Sequence, residues 1–97
     1  MKKKLTYHGR PVKVKATTYR SNGTLALMLT HGNDDSDVIT VNLNSPIQSD
    51  TMAFLDVNTY PDIEAWIREN NLGLPMNVTE RSGFCQYPLY TIFSDAL

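Results

Sequence analysis

Apolar and polar residues alternate through most of the first 43 residues of the chain. Successive side chains of a β-strand point to opposite faces, so a period of two predicts strands that bury one face. Turn-forming residues separate the alternating segments, most clearly at Asn22-Gly23, where both residue types accept a positive φ angle. We therefore predict an antiparallel meander of four strands, at residues 4–8, 12–17, 25–29 and 38–43.

One helix is predicted after this meander, over residues 61–72. Pro61 suits the first turn, and Glu64 lies where the helix dipole favours an acidic side chain. Gly73 suits the left-handed position that follows a helix end. Apolar residues recur three and four positions apart, which predicts that the helix packs on the sheet through one stripe: Ile63, Trp66 and Ile67.

The remaining segments complete a small domain. Residues 52–55 are apolar enough for a fifth strand, and a polar connection is predicted after Pro75. Residues 84–93 predict a last strand, which Pro88 splits or confines to a sheet edge. The chain has 97 residues, 41% of them hydrophobic, which is enough for one core. The predicted fold is a single α+β domain over residues 1–97, with an antiparallel sheet of five or six strands and one short helix packed on one face.

Charge is divided unevenly along the chain, although the net charge is only −1. Residues 1–33 hold seven basic and no acidic residues, whereas residues 34–97 hold ten acidic residues against two arginines. This division is typical of a nucleic-acid-binding arm on an acidic body, or of basic strands paired with acidic ones. The candidate phosphate contacts lie in the first hairpin: Arg10, Lys13 and Lys15. A near-neutral chain gives no long-range attraction to a polyanion, which disfavours nucleic acid as the partner.

Cysteine usage and hydropathy bear on the compartment. The one cysteine, Cys85, cannot form a disulfide within the chain, which favours a reducing environment. No run approaches the ~18 apolar residues of a membrane span. A signal peptide needs an apolar segment after its basic N-terminus, and in this chain polar residues interrupt that segment. We therefore expect a cytoplasmic protein without a membrane partner.

No arrangement of reactive residues in the sequence indicates an enzyme. His8 and His31 fall in predicted turns without a recognised metal-ligand spacing, and the acidic run at residues 33–37 lacks the other ligands of a calcium loop. Cys85 has no neighbouring base and is expected to be buried and unreactive. The glycines form no phosphate-binding pattern. We expect no catalytic residue, no cofactor and no metal.

Aromatic residues concentrate near the C-terminus, and aromatic side chains serve both cores and binding sites. Trp66 and Phe84 are predicted to lie in the core. Tyr60, Tyr87 and Tyr90 carry hydroxyl groups that need water or a hydrogen-bonding partner, so they are the candidate partner-binding residues. The alternative for these three tyrosines is that they fill the core.

Several short motifs, spread over nearly the whole chain, carry a family resemblance. They include Tyr7-x-Gly9, Thr40-Val41-Asn42-Leu43, Ser82-Gly83-Phe84-Cys85 and Tyr87-Pro88-x-Tyr90. The sequence resembles an uncharacterised bacterial family of domains of about 100 residues, of unknown function, found mostly on conjugative elements and phages. The resemblance implies no activity, cofactor or catalytic residue.

These observations predict a non-enzymatic accessory protein of a mobile element that binds a macromolecular partner. A protein is the expected partner, and assembly with further copies of the same chain is one form of this hypothesis. The alternative is nucleic-acid binding through the basic N-terminal hairpin.

Overall fold

The computed structural model describes residues 5–20, 23–31, 36–43 and 51–93, and these residues form two antiparallel sheets and one helix. The elements are β1 (Leu5–Tyr7), β2 (Arg10–Thr18), β3 (Leu25–Thr30), β4 (Ser36–Val38), β5 (Thr40–Val41), β6 (Met52–Leu55), α1 (Ile63–Glu69), β7 (Gly73–Ser82) and β8 (Cys85–Ile92). The strand orders are β1-β2-β3-β4 and β5-β6-β8-β7. The α+β class is confirmed, whereas the predicted single sheet of five or six strands is wrong.

The chain passes from the first sheet to the second at Ile39, which is fully buried. The Ile39 N–H donates to the carbonyl of Leu27 on β3, and the Ile39 carbonyl accepts from the N–H of Asp56, just after β6. The predicted fourth strand, residues 38–43, is therefore two short strands, one in each sheet. A run of β-branched residues predicts extended backbone but does not show where that backbone turns a corner.

The segment after Pro75 is a strand rather than the predicted polar connection. It forms β7, at the edge of the second sheet. Of its residues only Gly73 is buried, and nearly all the others are exposed. Because β7 buries no alternate face and contains Pro75, which cannot donate to a ladder, the sequence does not indicate it as clearly as the apolar run that predicts β6.

The predicted helix is confirmed with slightly shorter bounds, and its buried residues are Ile63, Trp66 and Ile67. The left-handed residue after the helix is Asn71, with φ 55°, and not Gly73 as predicted.

Gly73 has a different role, which is close packing between β7 and β8. A Cβ atom at this position would lie 2.4 Å from the carbonyl oxygen of Thr91 and 3.4 Å from Cγ2 of Ile67. Glycine therefore lets β7 begin tightly against β8, directly after the helix.

Buried apolar side chains from both sheets and α1 form one core. The first sheet contributes its inner face, the second sheet contributes alternate residues of β6 and β8, and the helix contributes its stripe: Tyr7, Val12, Leu25, Leu27, Leu29, Ile39, Ala53, Leu55, Ile63, Trp66, Ile67, Leu72, Tyr90 and Ile92. Helix and sheets are thus held as one body, from which the far end of the β7–β8 hairpin extends.

Candidate functional site

The end of the β7–β8 hairpin protrudes as a two-stranded ribbon. β8 pairs with β6 only as far as Phe54↔Leu89, whereas its remaining residues continue toward the turn. There, residues 79–82 pair with residues 85–88 and with no other strand of the described ranges. We call residues 76–88 the ribbon arm.

The tip of the ribbon arm is a two-residue turn formed by Gly83 and Phe84, closed by the pair Ser82↔Cys85. Gly83 has φ 62°, as the first central residue of a type II′ turn requires. Phe84 occupies the second central position and is 103% exposed. The prediction that Phe84 lies in the core is wrong, because its side chain projects from the turn beyond the last cross-strand pair.

Three further exposed apolar side chains lie where the arm leaves the body. Leu74, Met76 and Val78 are 53%, 37% and 49% exposed, and we call them the apolar base. The register between β7 and β8 shifts within this stretch, between Pro75 and Thr79. A bulge and a proline both hinder the addition of a further strand, so the base offers side chains rather than a regular backbone edge.

Pro88 lies within a continuous strand instead of interrupting it. It pairs with Thr79 on β7 and lies just past Leu89, the last residue of β8 that pairs with β6. Among the described residues, Pro88 has no ladder partner on the β6 side, so its missing N–H costs no hydrogen bond there. The proline is therefore compatible with a strand that is locally an edge.

Two of the three predicted partner-binding tyrosines are half-buried and lie near one carboxylate. Tyr87 is on the arm, opposite Glu80, and partial burial raises its pKa, with further contributions from Cys85 and Asp56. Tyr60 precedes α1, and burial raises its pKa, with further contributions from Asp37 and from the same Asp56. Both tyrosines keep part of their surface available, and only Tyr87 belongs to the arm.

Tyr90 does not lie on the surface. Its side chain is 1% exposed, and its hydroxyl donates a hydrogen bond of 2.9 Å to Oε1 of Glu64 on α1. Burial, followed by the Glu64 carboxylate, raises the pKa of Tyr90 to about 12. Its assignment as a partner-binding residue is corrected: it is a core residue, because alternation along β8 turns it toward the helix.

The structure separates the three candidate phosphate contacts. Lys13 and Lys15 are exposed on the outer face of the first sheet, where they pair with Thr30 and Met28. Arg10 pairs with Tyr7 and, by strand alternation, lies on the other face. These three basic residues therefore do not share one surface.

A cluster of hydrogen bonds fastens the β1–β2 hairpin to the start of the helix. Tyr7 Oη donates to Oδ1 of Asp62 at 2.6 Å, and Nε2 of His8 donates to Oδ2 at 2.5 Å. The Tyr7 and His8 rings stack with centroids 4.1 Å apart. These two hydrogen bonds lower the pKa of Asp62, while burial, followed by the Asp62 carboxylate, raises the pKa of Tyr7. We call Tyr7, His8 and Asp62 the clasp.

The clasp and the other reactive side chains give no sign of a metal centre. His31 Nε2 hydrogen bonds to Oδ2 of Asp37 at 2.6 Å, which makes a second His–Asp pair. Within the described ranges, no three His, Cys, Asp or Glu residues lie close enough together to hold a metal ion. Cys85 is half-buried rather than buried, with its thiol 3.8 Å from the Gln86 carbonyl oxygen. Among the described residues, no helix has the length and apolarity needed to span a membrane.

Fold and site together define a small α+β domain that carries a protruding, apolar-tipped ribbon. Residues 13–97 match the family model of a domain of unknown function, DUF4313, and the chain belongs to this family. The expected resemblance to an uncharacterised domain of this size is thereby confirmed, and its occurrence on mobile elements stays a prediction. No curated protein and no solved structure matches the chain.

Sequence reasoning missed the apolar base, although a signal was present. Leu74, Met76 and Val78 recur at every second position, which is the spacing of one strand face. Pro75 within this run argues against a strand, because it cannot donate to a ladder. Together, the alternating apolar residues and the turn-forming Ser82-Gly83 indicate a hairpin.

Proposed function

We propose that this chain is a non-enzymatic protein-binding module and that the ribbon arm is its binding surface. The observation that carries the proposal is Phe84, an aromatic side chain held fully in solvent at the tip of a defined turn. Aromatic side chains bury a large area at small entropic cost and dominate the energetics of protein interfaces. The half-buried Tyr87 supplies a second aromatic residue on the same arm.

The construction of the arm also supports a protein partner. A two-stranded ribbon is only marginally stable in water, so contact with another surface stabilises it. The charged residues of the arm are Glu80 and Arg81, which balance each other. A neutral arm with an apolar tip and base suits a protein surface better than a phosphate backbone, which requires several cations.

The setting of this activity is part of the same proposal. We place the protein in the cytoplasm, as an accessory protein of a mobile element. The lone cysteine supports a reducing compartment, and the family resemblance carried by the sequence motifs supports the mobile element.

The test is a quantitative capture experiment with the full chain as bait. Bait variants are wild type, Phe84→Ser combined with Val78→Ser, and the matched control Lys13→Gln combined with Lys15→Gln. All these positions are exposed, so the variants should fold alike. We expect wild type and the control to capture one or more proteins whose captured amount is lower by roughly tenfold or more with the arm variant. Identical protein sets from all three baits would overturn the proposal.

One observation favours a second candidate, nucleic-acid binding. Lys13 and Lys15 share the outer face of the first sheet, and strand alternation puts no acidic side chain of the described residues on that face. Fluorescence anisotropy with single- and double-stranded DNA at two salt concentrations tests it. We expect no binding at physiological salt. Binding that Lys13→Gln with Lys15→Gln weakens, with a salt slope lower by about one per lost contact, would rank this function first.

A further inference from the structure

The exposed apolar residues of the ribbon arm and of the apolar base lie at the two ends of one strand. Leu74, Met76 and Val78 form the base at the start of β7, and Phe84 follows its end. Between base and tip lie polar residues. When two arms lie side by side in opposite directions, the tip of each arm meets the base of the other. An arm with this pattern is therefore complementary to a second copy of itself.

We infer that the ribbon arm binds a second copy of this chain. This inference rests on the proposed function and names the partner of the same surface. Two arms lie side by side around a two-fold axis, and the Phe84 side chain of each packs on the apolar base of the other. Such an interface is isologous and closed, so it produces a dimer rather than a fibre.

Charge selects the register of the two strands. A two-fold axis at Glu80 or at Arg81 would set like charges directly opposite each other, which is destabilising. An axis at Thr79 sets Arg81 near Asn77, which has φ 59° in the irregular stretch of β7, and brings the turn that carries Phe84 toward the apolar base of the other copy. Of these three axes, only the one at Thr79 sets no like charges directly opposite each other, and it brings each tip to the base of the other arm.

Backbone geometry agrees with an axis at Thr79. In a hairpin with a two-residue turn, the closing pair Ser82↔Cys85 exchanges ladder hydrogen bonds, and so does the second pair along, Glu80↔Tyr87. The peptide groups of Thr79 therefore point to the outer edge, where the same residue of a second copy can pair with them. The register shift between Pro75 and Thr79 limits this new ladder to its centre, and side chains make the outer contacts.

The available area fits a modest but specific dimer. From the exposures of Leu74, Met76, Val78 and Phe84, these side chains alone supply on the order of half of the ~800 Å² that each partner buries in a standard interface. The backbone and polar side chains between base and tip supply further area. The arm is also neutral, so no electrostatic repulsion opposes the association.

The first test is the mass of the purified full chain by light scattering and sedimentation over a range of concentrations. We expect wild type to approach twice the chain mass of 10.9 kDa at concentrations up to about 0.1 mM. Phe84→Ser should weaken association by at least roughly tenfold. Lys13→Gln with Lys15→Gln should leave it unchanged. A wild-type monomer throughout the range would overturn the inference.

The second test is a symmetric disulfide that reports the register. In a Cys85→Ser background, Thr79→Cys should crosslink under mild oxidation, since directly opposed hydrogen-bonded residues have Cα atoms about 5.5 Å apart. Ser82→Cys in the same background is the control, because its two copies would lie about 20 Å apart along the strands. Crosslinking of Ser82→Cys at the rate of Thr79→Cys or faster would contradict the arrangement.

The two proposals fail in different ways. Suppose that the chain is monomeric, that Thr79→Cys does not crosslink, and that the arm variant still loses a captured protein. The inference of a second copy is then wrong, and the proposal of a protein-binding arm is retained. If changes at Phe84 alter neither the mass nor the captured proteins, both proposals fall.

Discussion

Trp66 connects the helix to the first sheet through one side chain. Its indole N–H donates a hydrogen bond of 2.7 Å to the carbonyl oxygen of Thr6 on β1. Its ring meets the ring of Tyr7 edge to face, with centroids 5.3 Å apart. Because Trp66 is also buried in the core, a single residue of α1 holds the helix to the first sheet by both packing and a hydrogen bond.

Substitution of Trp66 separates these two contributions. Trp66→Ala should lower the free energy of unfolding by roughly 3–5 kcal/mol, since it leaves a large cavity. Trp66→Phe keeps most of the bulk and loses the hydrogen bond, so it should cost less, about 1–2 kcal/mol. Urea unfolding of both variants measures the difference. A loss below about 1 kcal/mol for Trp66→Ala would contradict the docking of the helix.

Asp62 predicts the response of the fold to acid. Its pKa in the folded state is lowered, so its contribution to stability is present above the unfolded pKa of about 3.9 and is lost as pH falls through the folded pKa. Between about pH 5 and 2, wild type should therefore lose stability more steeply than Asp62→Asn. Urea unfolding at each pH measures this, with Glu69→Gln, at an exposed carboxylate of α1, as control. Parallel curves for wild type and Asp62→Asn would contradict the clasp.

At the scale of elements, Gly73 sets how the second sheet meets the helix. Gly73→Ala would force a Cβ atom against the backbone of Thr91, which cannot move away as a flexible side chain can. We expect a loss of about 1–3 kcal/mol in urea unfolding. Leu74→Ala, one position along at an exposed site, is the control and should change stability by less than about 0.5 kcal/mol. Equal effects of the two substitutions would argue against the close approach.

Elements with one buried face could be predicted from the sequence, and elements without one could not. The first three strands and the stripe of α1 carry the period of their buried side and are found where they are predicted, and β6 is found where its short apolar run predicts it. β7 lies at an edge with most side chains in solvent, and Pro75 within its alternating apolar run argues against a strand. The corner at Ile39 is set by hydrogen bonds to Leu27 and Asp56, which are distant in sequence.

The candidate site was predictable only in part for the same reason. Tyr87 lies in the last strand, as predicted, but whether Phe84 or Tyr90 faces solvent depends on strand phase. A tyrosine hydroxyl needs a hydrogen-bonding partner, and for Tyr90 that partner is Glu64, an internal carboxylate that local sequence does not reveal. Phe84 is exposed because the turn begins at Gly83, and a shift of one residue would have reversed its position.

For the whole molecule, the uneven charge along the chain does not divide the two sheets from each other. The basic residues 1–33 include β1, β2 and β3, whereas the acidic remainder includes β4 of the same sheet, α1 and the second sheet, in which Glu80 and Arg81 balance. His8 and Asp62 bridge the two parts, but their side chains are 65% and 50% exposed, so water and salt screen the pair. Packing through Trp66, rather than charge, therefore holds the layers together.

Binding and stability should be separable in this architecture, because the arm lies outside the core. Phe84→Ser should change the free energy of unfolding by less than about 0.5 kcal/mol, since the side chain is fully exposed. The same substitution should weaken binding strongly. Urea unfolding of the dilute protein, where association is absent, measures the first effect. A loss of more than about 1 kcal/mol under these conditions would mean that Phe84 supports the fold itself.

Amide hydrogen exchange of the full chain, compared between dilute and concentrated protein and again with any captured partner, tests most directly whether the ribbon arm is the binding surface. A solvent-exposed two-stranded ribbon should exchange rapidly when free. We predict that residues 79–82 and 85–88 gain protection in the bound state, while residues 13–18 of β2 exchange at an unchanged rate. Protection gained at β2 with an unaltered ribbon arm would contradict the account.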